Sequence, residues 1–339
     1  MPSLREIWQS YRLRLRRKRL LWRAFRARHG LRAVADRSAM IAPDDILLFA
    51  CMRNEAHRLP QFLDHYRHLG IAHFLIVEND STDDTAAFLA GQPDVSLWRS
   101  TRSYRAARFG MDWVNWLLWR HGSGHWCLTV DADELLVYPE SDTRGLPELT
   151  RWLDARGQPS MRALMLDLYP KGPVSGAAYQ PGQDPTEVLN WFDAEGYRHE
   201  AQPKFETVSI RGGPRARTFF AQTPSDAPHL NKVPLVRWHW RYAYLSSTHM
   251  ALPIALNGGT EPNPQMPTGA LLHTKFLDGI IARSKEEKRR REHFTHAARF
   301  DRYYDAIIAD PDLWTPESRP YDGPAALESA GLMQRGLWP

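Results

Sequence analysis

The chain has 339 residues, of which 43% are hydrophobic and 24% charged, with a formal net charge of +5. This composition is that of a globular protein of one large or two small domains, and it excludes a disordered or fibrous chain. Only Cys51 and Cys127 are cysteines, which excludes a disulfide scaffold and a Cys-x-x-Cys zinc site.

The basic charge is concentrated at the start of the chain. Residues 1–38 contain twelve Lys and Arg against Glu6 and Asp36, a net charge of +10, so the rest of the chain carries −5. A basic tail on a mildly acidic body is not the pattern of a nucleic-acid-binding surface, and we predict no nucleic-acid partner.

Residues 1–42 are predicted to form a basic amphipathic helical segment. Apolar side chains recur there at steps of three, four and seven, among arginines: Leu4, Trp8, Tyr11, Leu15, Trp22 and Phe25. This pattern is typical of a helix that lies on an anionic membrane surface. It is equally typical of a helix packed on its own domain or on a partner. No apolar run reaches the ~20 residues of a membrane span, and we find no signal peptide. We therefore expect a cytoplasmic protein, with a peripheral position on the inner face of the membrane as one possibility.

From residue 43 onwards, apolar strands alternate with helical patterns. Strands are predicted at Ile46–Met52, His73–Val77, Val95–Arg99 and Trp126–Val130, and helices at 57–69, up to Ala90, and at Arg105–Arg120. Alternation of this kind predicts an α/β fold with a mostly parallel sheet and right-handed crossovers. Beyond residue 170 the sequence is rich in Pro and Gly and predicts long loops. The charged stretch in 276–309 is predicted to be a solvated helix face.

Polar residues follow three of the predicted strands. They are Arg53-Asn54-Glu55, Glu78-Asn79-Asp80-Ser81 and Asp131-Ala132-Asp133-Glu134. Because ligands bind beyond the carboxyl ends of strands in such sheets, we predict a pocket there. The segment ENDSTDDT taken alone is equally typical of a helix cap.

Asp131 and Asp133 are the strongest candidate ligands. They directly follow an apolar strand, and two carboxylates held close together repel each other unless a cation lies between or beside them. A hard divalent ion with few protein carboxylates keeps positions free for water and phosphates. We therefore predict a Mn²⁺ or Mg²⁺ site.

Two long segments of the chain resemble a known enzyme family. CMRNEAHRLPQFLDHYRHLGIAHFLIVENDSTDDT (51–85) and WCLTVDADELLVYP (126–139) resemble the family 2-like glycosyltransferases with a GT-A fold, in particular the bacterial subgroup related to family 92. The resemblance implies a metal-dependent transferase that moves a sugar from a nucleotide-sugar donor to a glycan or other hydroxyl acceptor, in bacterial surface polysaccharide synthesis. It divides the chain into a domain at 43–310, with a nucleotide-binding half (43–140), an acceptor and metal half (141–275) and C-terminal helices (276–310), followed by a tail at 311–339.

The resemblance also assigns roles to residues. Arg53, Asn54 and Glu55 would line the nucleotide pocket, and Glu78, where the family usually has Asp, would contact the base, with Asp80 beside it. Asp131 would approach the ribose and the metal, and Asp133 would be the principal metal ligand. His273 would complete the metal site, and His249 is a second candidate for that role.

Further residues of the second half are assigned from their local context. Lys275 lies two residues after His273 in an apolar, strand-like segment and is expected to bind the diphosphate. Arg215 and Arg217 follow two glycines, which suits either a diphosphate clamp on a flexible loop or a surface hairpin. A catalytic base would come from Asp193, Glu195 or Glu200.

Two alternatives remain open from the sequence. A sugar-phosphate nucleotidylyltransferase shares the metal-aspartate chemistry, but it carries a Gly-rich phosphate loop after its first strand, where this chain has MRNEAHR. A non-catalytic, membrane-associated scaffold with a GT-A-like fold is the other.

Overall fold

The computed structural model describes residues 3–261, 263–290 and 297–339. In these ranges the helices are α1 Leu4–Ala27, α2 Leu59–His68, α3 Thr85–Ala90, α4 Met111–Leu117, α5 Leu146–Asp154, α6 Pro185–Val188, α7 Gly213–Phe219, α8 Ile280–Arg290, α9 Ala297–Ile308 and α10 Pro324–Ser329. The strands are β1 Arg32–Ala35, β2 Leu47–Met52, β3 His73–Glu78, β4 Val95–Arg99, β5 Trp126–Thr129, β6 Glu134–Val137, β7 Ser160–Asp167, β8 Trp191–Phe192, β9 Arg198–Gln202, β10 Thr207–Arg211, β11 Asn231–Arg237, β12 Ala243–Tyr244, β13 Ala251–Leu252, β14 Gly269–His273 and β15 Arg319–Pro320.

The fold is α/β, with helices flanking a nine-stranded sheet of order β1-β4-β3-β2-β5-β11-β7-β14-β6. The strands β2 to β5 pair in parallel, as the sequence predicts. The sheet as a whole is mixed, because four of its eight neighbouring pairs are antiparallel, so the prediction of a mostly parallel sheet is wrong. Strands β6 and β11 are short apolar stretches that pair with strands distant in the chain. The partner of β6 is β14, and the partners of β11 are β5 and β7.

Strand direction determines which strand ends meet. The pairings give β2, β3, β4, β5, β7 and β14 one direction, whereas β1, β6 and β11 run the opposite way. The six strands that share one direction therefore have their carboxyl ends at the same edge of the sheet as the amino ends of β6 and β11. Both sides of the sheet are covered by buried apolar residues, which hold this edge in place.

The segment 1–42 forms more than the predicted helix. After α1, strand β1 joins the sheet as an edge strand antiparallel to β4, with Arg32 opposite Arg99. Leu13, Leu20 and Ala24 of α1 are buried on the domain, so the packed-helix interpretation holds for one face of α1. Among the described residues, no helix is both long enough and apolar enough to cross a bilayer.

The segment 311–339 is folded into the domain and is not the predicted tail. Leu313, Leu327, Met333 and Trp338 are buried in the main core. The Trp338 Nε1 donates a hydrogen bond of 3.1 Å to the carbonyl of Pro139. The C-terminal segment is therefore part of the domain.

Candidate active site

A cleft of about 340 Å³ lies at the sheet edge where these strand ends meet. The polar and charged side chains that line it come from the loops after β2 and β3, the turn after β5, the start of β11, the segment between β12 and β13, the end of β14 with the residues after it, and the helices α7 and α8. They include Arg53, Asn54, Glu55, Asn79, Asp131, Asp133, Arg215, Lys232, His249, His273, Lys275 and Arg283. The structure thus brings together most of the residues that the sequence predicts for the site.

Asp131 and Asp133 lie in the tight turn between β5 and β6. The turn is attached to β14, because the Thr274 N–H donates to the Asp133 carbonyl at 2.7 Å. His273 is also the register partner of Glu134 on β6. These backbone contacts place the Asp133 side chain beside His273, with 3.2 Å between Oδ2 and Nε2.

The two aspartates differ in their electrostatics. The surrounding protein and then the neighbouring Glu134 raise the pKa of Asp131 to about 6, although 54% of its side chain is exposed to the cleft. Burial opposes ionisation of Asp133 as well, but His273 outweighs it and holds the pKa of Asp133 well below its usual value. Asp133 also raises the pKa of Asp131, but less than burial and Glu134 do.

Asp167, which the sequence analysis missed, orients His273. It ends β7 and is buried beside β14, and its Oδ1 accepts a 2.6 Å hydrogen bond from Nδ1 of His273. Its Oδ2 accepts a 2.7 Å hydrogen bond from Nε of Arg215. Burial lowers the pKa of His273, but Asp133 and Asp167 outweigh this and raise it. An acidic residue at the end of an apolar strand was a signal that could have identified Asp167.

Arg215 lies on α7, not on the loop or hairpin that the sequence suggests. Arg215 is buried at the wall of the cleft. Its Nη2 has no hydrogen-bond partner among the described residues. A buried guanidinium group with an unused donor suits an anionic ligand.

A second buried ion pair supports the aspartate turn. The Nζ of Lys232 lies 2.8 Å from Oε1 of Glu134, and both side chains are almost fully buried. Glu134 also accepts a hydrogen bond from the Asp131 N–H at 3.1 Å. Neither Lys232 nor Glu134 was predicted as a site residue, because sequence alone does not show this pairing.

The fit of a divalent metal can be tested on Asp133 and His273. An octahedral ion with bonds of about 2.1 Å places adjacent ligand atoms about 3.0 Å apart, close to the observed 3.2 Å. Donation of the Nδ1 proton to Asp167 leaves Nε2 as the ligand nitrogen. Among the described residues, no three His, Cys, Asp or Glu side chains form a metal-binding group. The residues fit an ion held by two protein ligands, with other positions left for water and phosphate oxygens.

The loop after β2 forms one wall of the cleft. The Asn54 Oδ1 accepts a 2.8 Å hydrogen bond from the Thr82 N–H, which ties this loop to the ENDSTDDT turn. Glu55 pairs with Arg58 at 2.7 Å and with Arg283 at 3.2 Å. Arg53, Asn54 and Glu55 thus all line the cleft, and the last two also hold its wall together.

Glu78 and Asp80 do not line the cleft. Glu78 is fully buried, accepts a hydrogen bond from the Ser81 N–H and pairs with Arg99 at 3.4 Å. Asp80 pairs with the same arginine at 2.9 Å. Both residues brace the turn after β3.

The three predicted catalytic bases also lie outside the cleft. Asp193 pairs with Arg217 at 2.8 Å. Arg217 does not line the cleft either. Glu195 is exposed, and Glu200 on β9 is 68% exposed beside Arg211. The structure does not bring these acids to the aspartate turn.

Helix α8 contributes to the cleft, contrary to the expectation of a solvated face. Arg283, Ser284 and Glu286 line it, and Glu286 lies 3.6 Å from Arg53. The prediction for 276–309 extends over residues 291–296, which lie outside the described residues.

Comparison with known proteins assigns no family. No protein-family model matches the chain, and no curated protein is significantly similar to it. The fold and the cleft define an α/β protein with a mixed sheet and a strongly charged cleft at one sheet edge.

Proposed function

We propose that the protein is a metal-dependent glycosyltransferase with a GT-A-like fold, which moves a sugar from a nucleotide-diphosphate donor to the hydroxyl of a glycan or other acceptor. One observation carries the proposal. The Asp133 carboxylate and the His273 Nε2 lie 3.2 Å apart in a cleft that is also lined by Arg215, whose Nη2 has no hydrogen-bond partner among the described residues. Ligands for a hard cation and a donor for phosphate oxygens are therefore close together.

Each charged group has a role in this proposal. Asp133 and His273 would hold Mn²⁺ or Mg²⁺, and the ion would offset negative charge on the leaving diphosphate. Arg215 and Lys275 would bind phosphate oxygens. Among the described residues, no carboxylate pairs directly with Lys275, whose ammonium lies 5.5 Å from the ring centre of Tyr303. The loop of Arg53, Asn54 and Glu55 would face the nucleotide.

We assign the role of catalytic base, which takes the proton of the acceptor hydroxyl, to none of Asp193, Glu195 and Glu200, because all three lie outside the cleft. The roles proposed for cleft residues therefore cover donor and metal binding only. The acceptor class, a bacterial surface polysaccharide, rests on the family resemblance alone.

The test uses nucleoside diphosphates, because they are products of the reaction whatever the sugar. The melting temperature is measured with UDP, GDP, ADP, CDP and dTDP, each with and without Mn²⁺. A ligand at 100 times its Kd stabilises the folded protein by about 2.7 kcal/mol. We expect at least one diphosphate to stabilise the protein only when Mn²⁺ is present, and the matching nucleotide-sugars to release that diphosphate slowly by hydrolysis.

The matched variants are Asp133→Asn, in the cleft, and Asp44→Asn, at an exposed aspartate outside it. Only Asp133→Asn should abolish the Mn²⁺-dependent stabilisation. If no nucleoside diphosphate binds, the function is wrong and a scaffold is favoured. Turnover of a nucleoside triphosphate with a sugar phosphate would instead indicate a nucleotidylyltransferase.

A further inference from the structure

Helix α1 has one face buried on the domain and an opposite face exposed. Leu13 and Leu20 pack with Leu245 and Leu252 in a small apolar cluster, and Arg23 is fixed to Asp112 of α4 at 2.7 Å. Six of the ten exposed large hydrophobic residues in the described part of the chain nevertheless belong to α1: Leu4, Ile7, Trp8, Tyr11, Leu15 and Trp22. Such a concentration of exposed apolar surface marks an interaction site.

The exposed apolar residues form a single stripe. At about 100° per residue, Leu4, Trp8, Tyr11, Leu15 and Trp22 all lie within about 40° of one line along the helix. The buried residues Leu13, Leu20 and Ala24 lie on the opposite side of the helix from that line. The stripe therefore points away from the domain, where no other described element covers it.

Basic residues flank the stripe on both sides. Arg12 and Arg19 lie on one side, and Arg14 and Lys18 on the other, and all four are exposed. Within the described residues none of these four forms an ion pair with a carboxylate, and Glu6 is the only acid in α1. Since arginines remain charged at every physiological pH, these rows present an uncompensated positive surface.

One basic row borders an open groove. Arg5, Arg12 and Arg16 face Lys204 across it, with Trp8 beside them, and no acidic residue of the described chain lines it. The Gln9 side chain donates a 3.1 Å hydrogen bond to the Lys204 carbonyl, which holds the two walls of the groove together. Four cations around one groove suit the phosphate groups of lipids.

We propose that the outward face of α1 is a docking surface for a membrane that contains anionic lipid. An apolar stripe between two basic rows matches the acyl layer and the charged headgroups of such a membrane. Nucleic acid would satisfy the arginines but would leave Leu4, Tyr11, Leu15 and Trp22 in water. Because the opposite face of α1 is packed on the domain, docking of α1 places the domain directly on the membrane surface. It does not leave the domain at the end of a flexible tether. Docking through α1 is independent of the reaction in the cleft.

The test is co-sedimentation of the full chain with two kinds of vesicle, one of phosphatidylcholine alone and one of phosphatidylcholine and phosphatidylglycerol in a two-to-one ratio. We expect at least tenfold tighter binding to the anionic vesicles, and weaker binding as salt rises. Arg12→Glu/Arg19→Glu should remove this preference. Trp8→Ser/Trp22→Ser should weaken binding to anionic vesicles at least fivefold without abolishing the salt dependence.

The matched charge control is Arg151→Glu/Arg319→Glu, which reverses two exposed arginines outside α1 and the cleft and should bind as the wild type does. Melting temperatures of all variants report on folding. Equal binding to neutral and anionic vesicles would overturn the proposal. So would vesicle binding that the α1 charge variant leaves unchanged, or binding to random-sequence DNA alone that this variant removes.

Discussion

Asp167 and His273 are register partners on the parallel strands β7 and β14, and their side chains share a 2.6 Å hydrogen bond. Because Nδ1 of His273 donates to this carboxylate, the Nε2 faces Asp133. Among the described residues, the side-chain partners of Asp167 are His273 and Arg215, not the aspartate turn. Asp167 controls the site through the orientation and charge of the imidazole.

Asp167→Asn is expected to lower Mn²⁺ affinity about 10- to 100-fold, because the amide no longer supports the imidazole with a negative charge. The affinity is measured by electron paramagnetic resonance titration of the folded protein. The exposed Asp64 supplies the control, Asp64→Asn, which should bind Mn²⁺ normally. Unchanged affinity in Asp167→Asn would show that the residue has a structural role only.

Replacement of His273 by Gln should change stability in a pH-dependent way. The raised pKa of His273 means that the folded protein favours the protonated ring. This contribution is complete below the unfolded pKa of about 6.5 and is lost as the pH rises through the folded value. In metal-free buffer, the loss of unfolding free energy on His273→Gln should thus be larger at pH 6 than at pH 9. Urea unfolding at both values measures it.

Mn²⁺ affinity should show the opposite pH dependence, because the ion competes with the proton for Nε2. The wild type should bind Mn²⁺ more tightly as the pH rises from 6 to 8, and His273→Gln should bind it weakly throughout. A stability loss that is the same at every pH, with normal Mn²⁺ binding, would make His273 a structural residue.

Asp131→Asn is expected to stabilise the metal-free protein above pH 6. The raised pKa of Asp131 means that its ionisation opposes folding. Solvent screening of the half-exposed side chain reduces the gain to on the order of 1 kcal/mol. Asp133→Asn should not stabilise, because the pKa of Asp133 is lowered by His273. Equal melting temperatures for Asp131→Asn and the wild type at pH 8 would contradict this distinction.

Lys232→Met should destabilise the protein by about 3–5 kcal/mol, because it leaves the buried Glu134 without its cation. The double variant Lys232→Met/Glu134→Gln should recover much of this loss. Chemical denaturation of both single variants and of the double variant gives the coupling energy. Additive losses would show that the two charges act independently.

Deletion of residues 1–38 is expected to destabilise the domain. A helix that served only as a membrane anchor would be separable from the domain, but the deletion removes β1 and exposes Leu245 and Leu252. Loss of the buried Leu13 and Leu20 costs about 1.5–3 kcal/mol for each leucine. The melting temperature and solubility of the truncated chain measure the effect, and a truncated chain as stable as the full one would restore the anchor interpretation.

The first half of the fold was predictable because it depends on local patterns. Strands β2, β3 and β5 are built on continuous apolar runs, and polar residues that follow them meet in the cleft. The prediction of Asp133 as a site residue followed from its position after β5. By contrast, β11 and β14 join the sheet through pairing with distant residues, so sequence patterns did not show that Lys232 reaches Glu134. Asp193, Glu195 and Glu200 were named only because they are acids in the irregular second half of the chain, and local sequence patterns did not show that they lie outside the cleft.

The position of β14 has a consequence for synthesis of the protein. Asp133 and His273 are far apart in the chain, and β6 pairs within the described residues only with β14, which lies between β6 and β7. A growing chain that has emerged only as far as residue 268 already contains the aspartate turn, but it lacks both the imidazole and the strand that holds the turn in place. If the protein binds the metal ion that we propose, capture of this ion would be a late event, and an incomplete chain released by the ribosome would lack the second ligand.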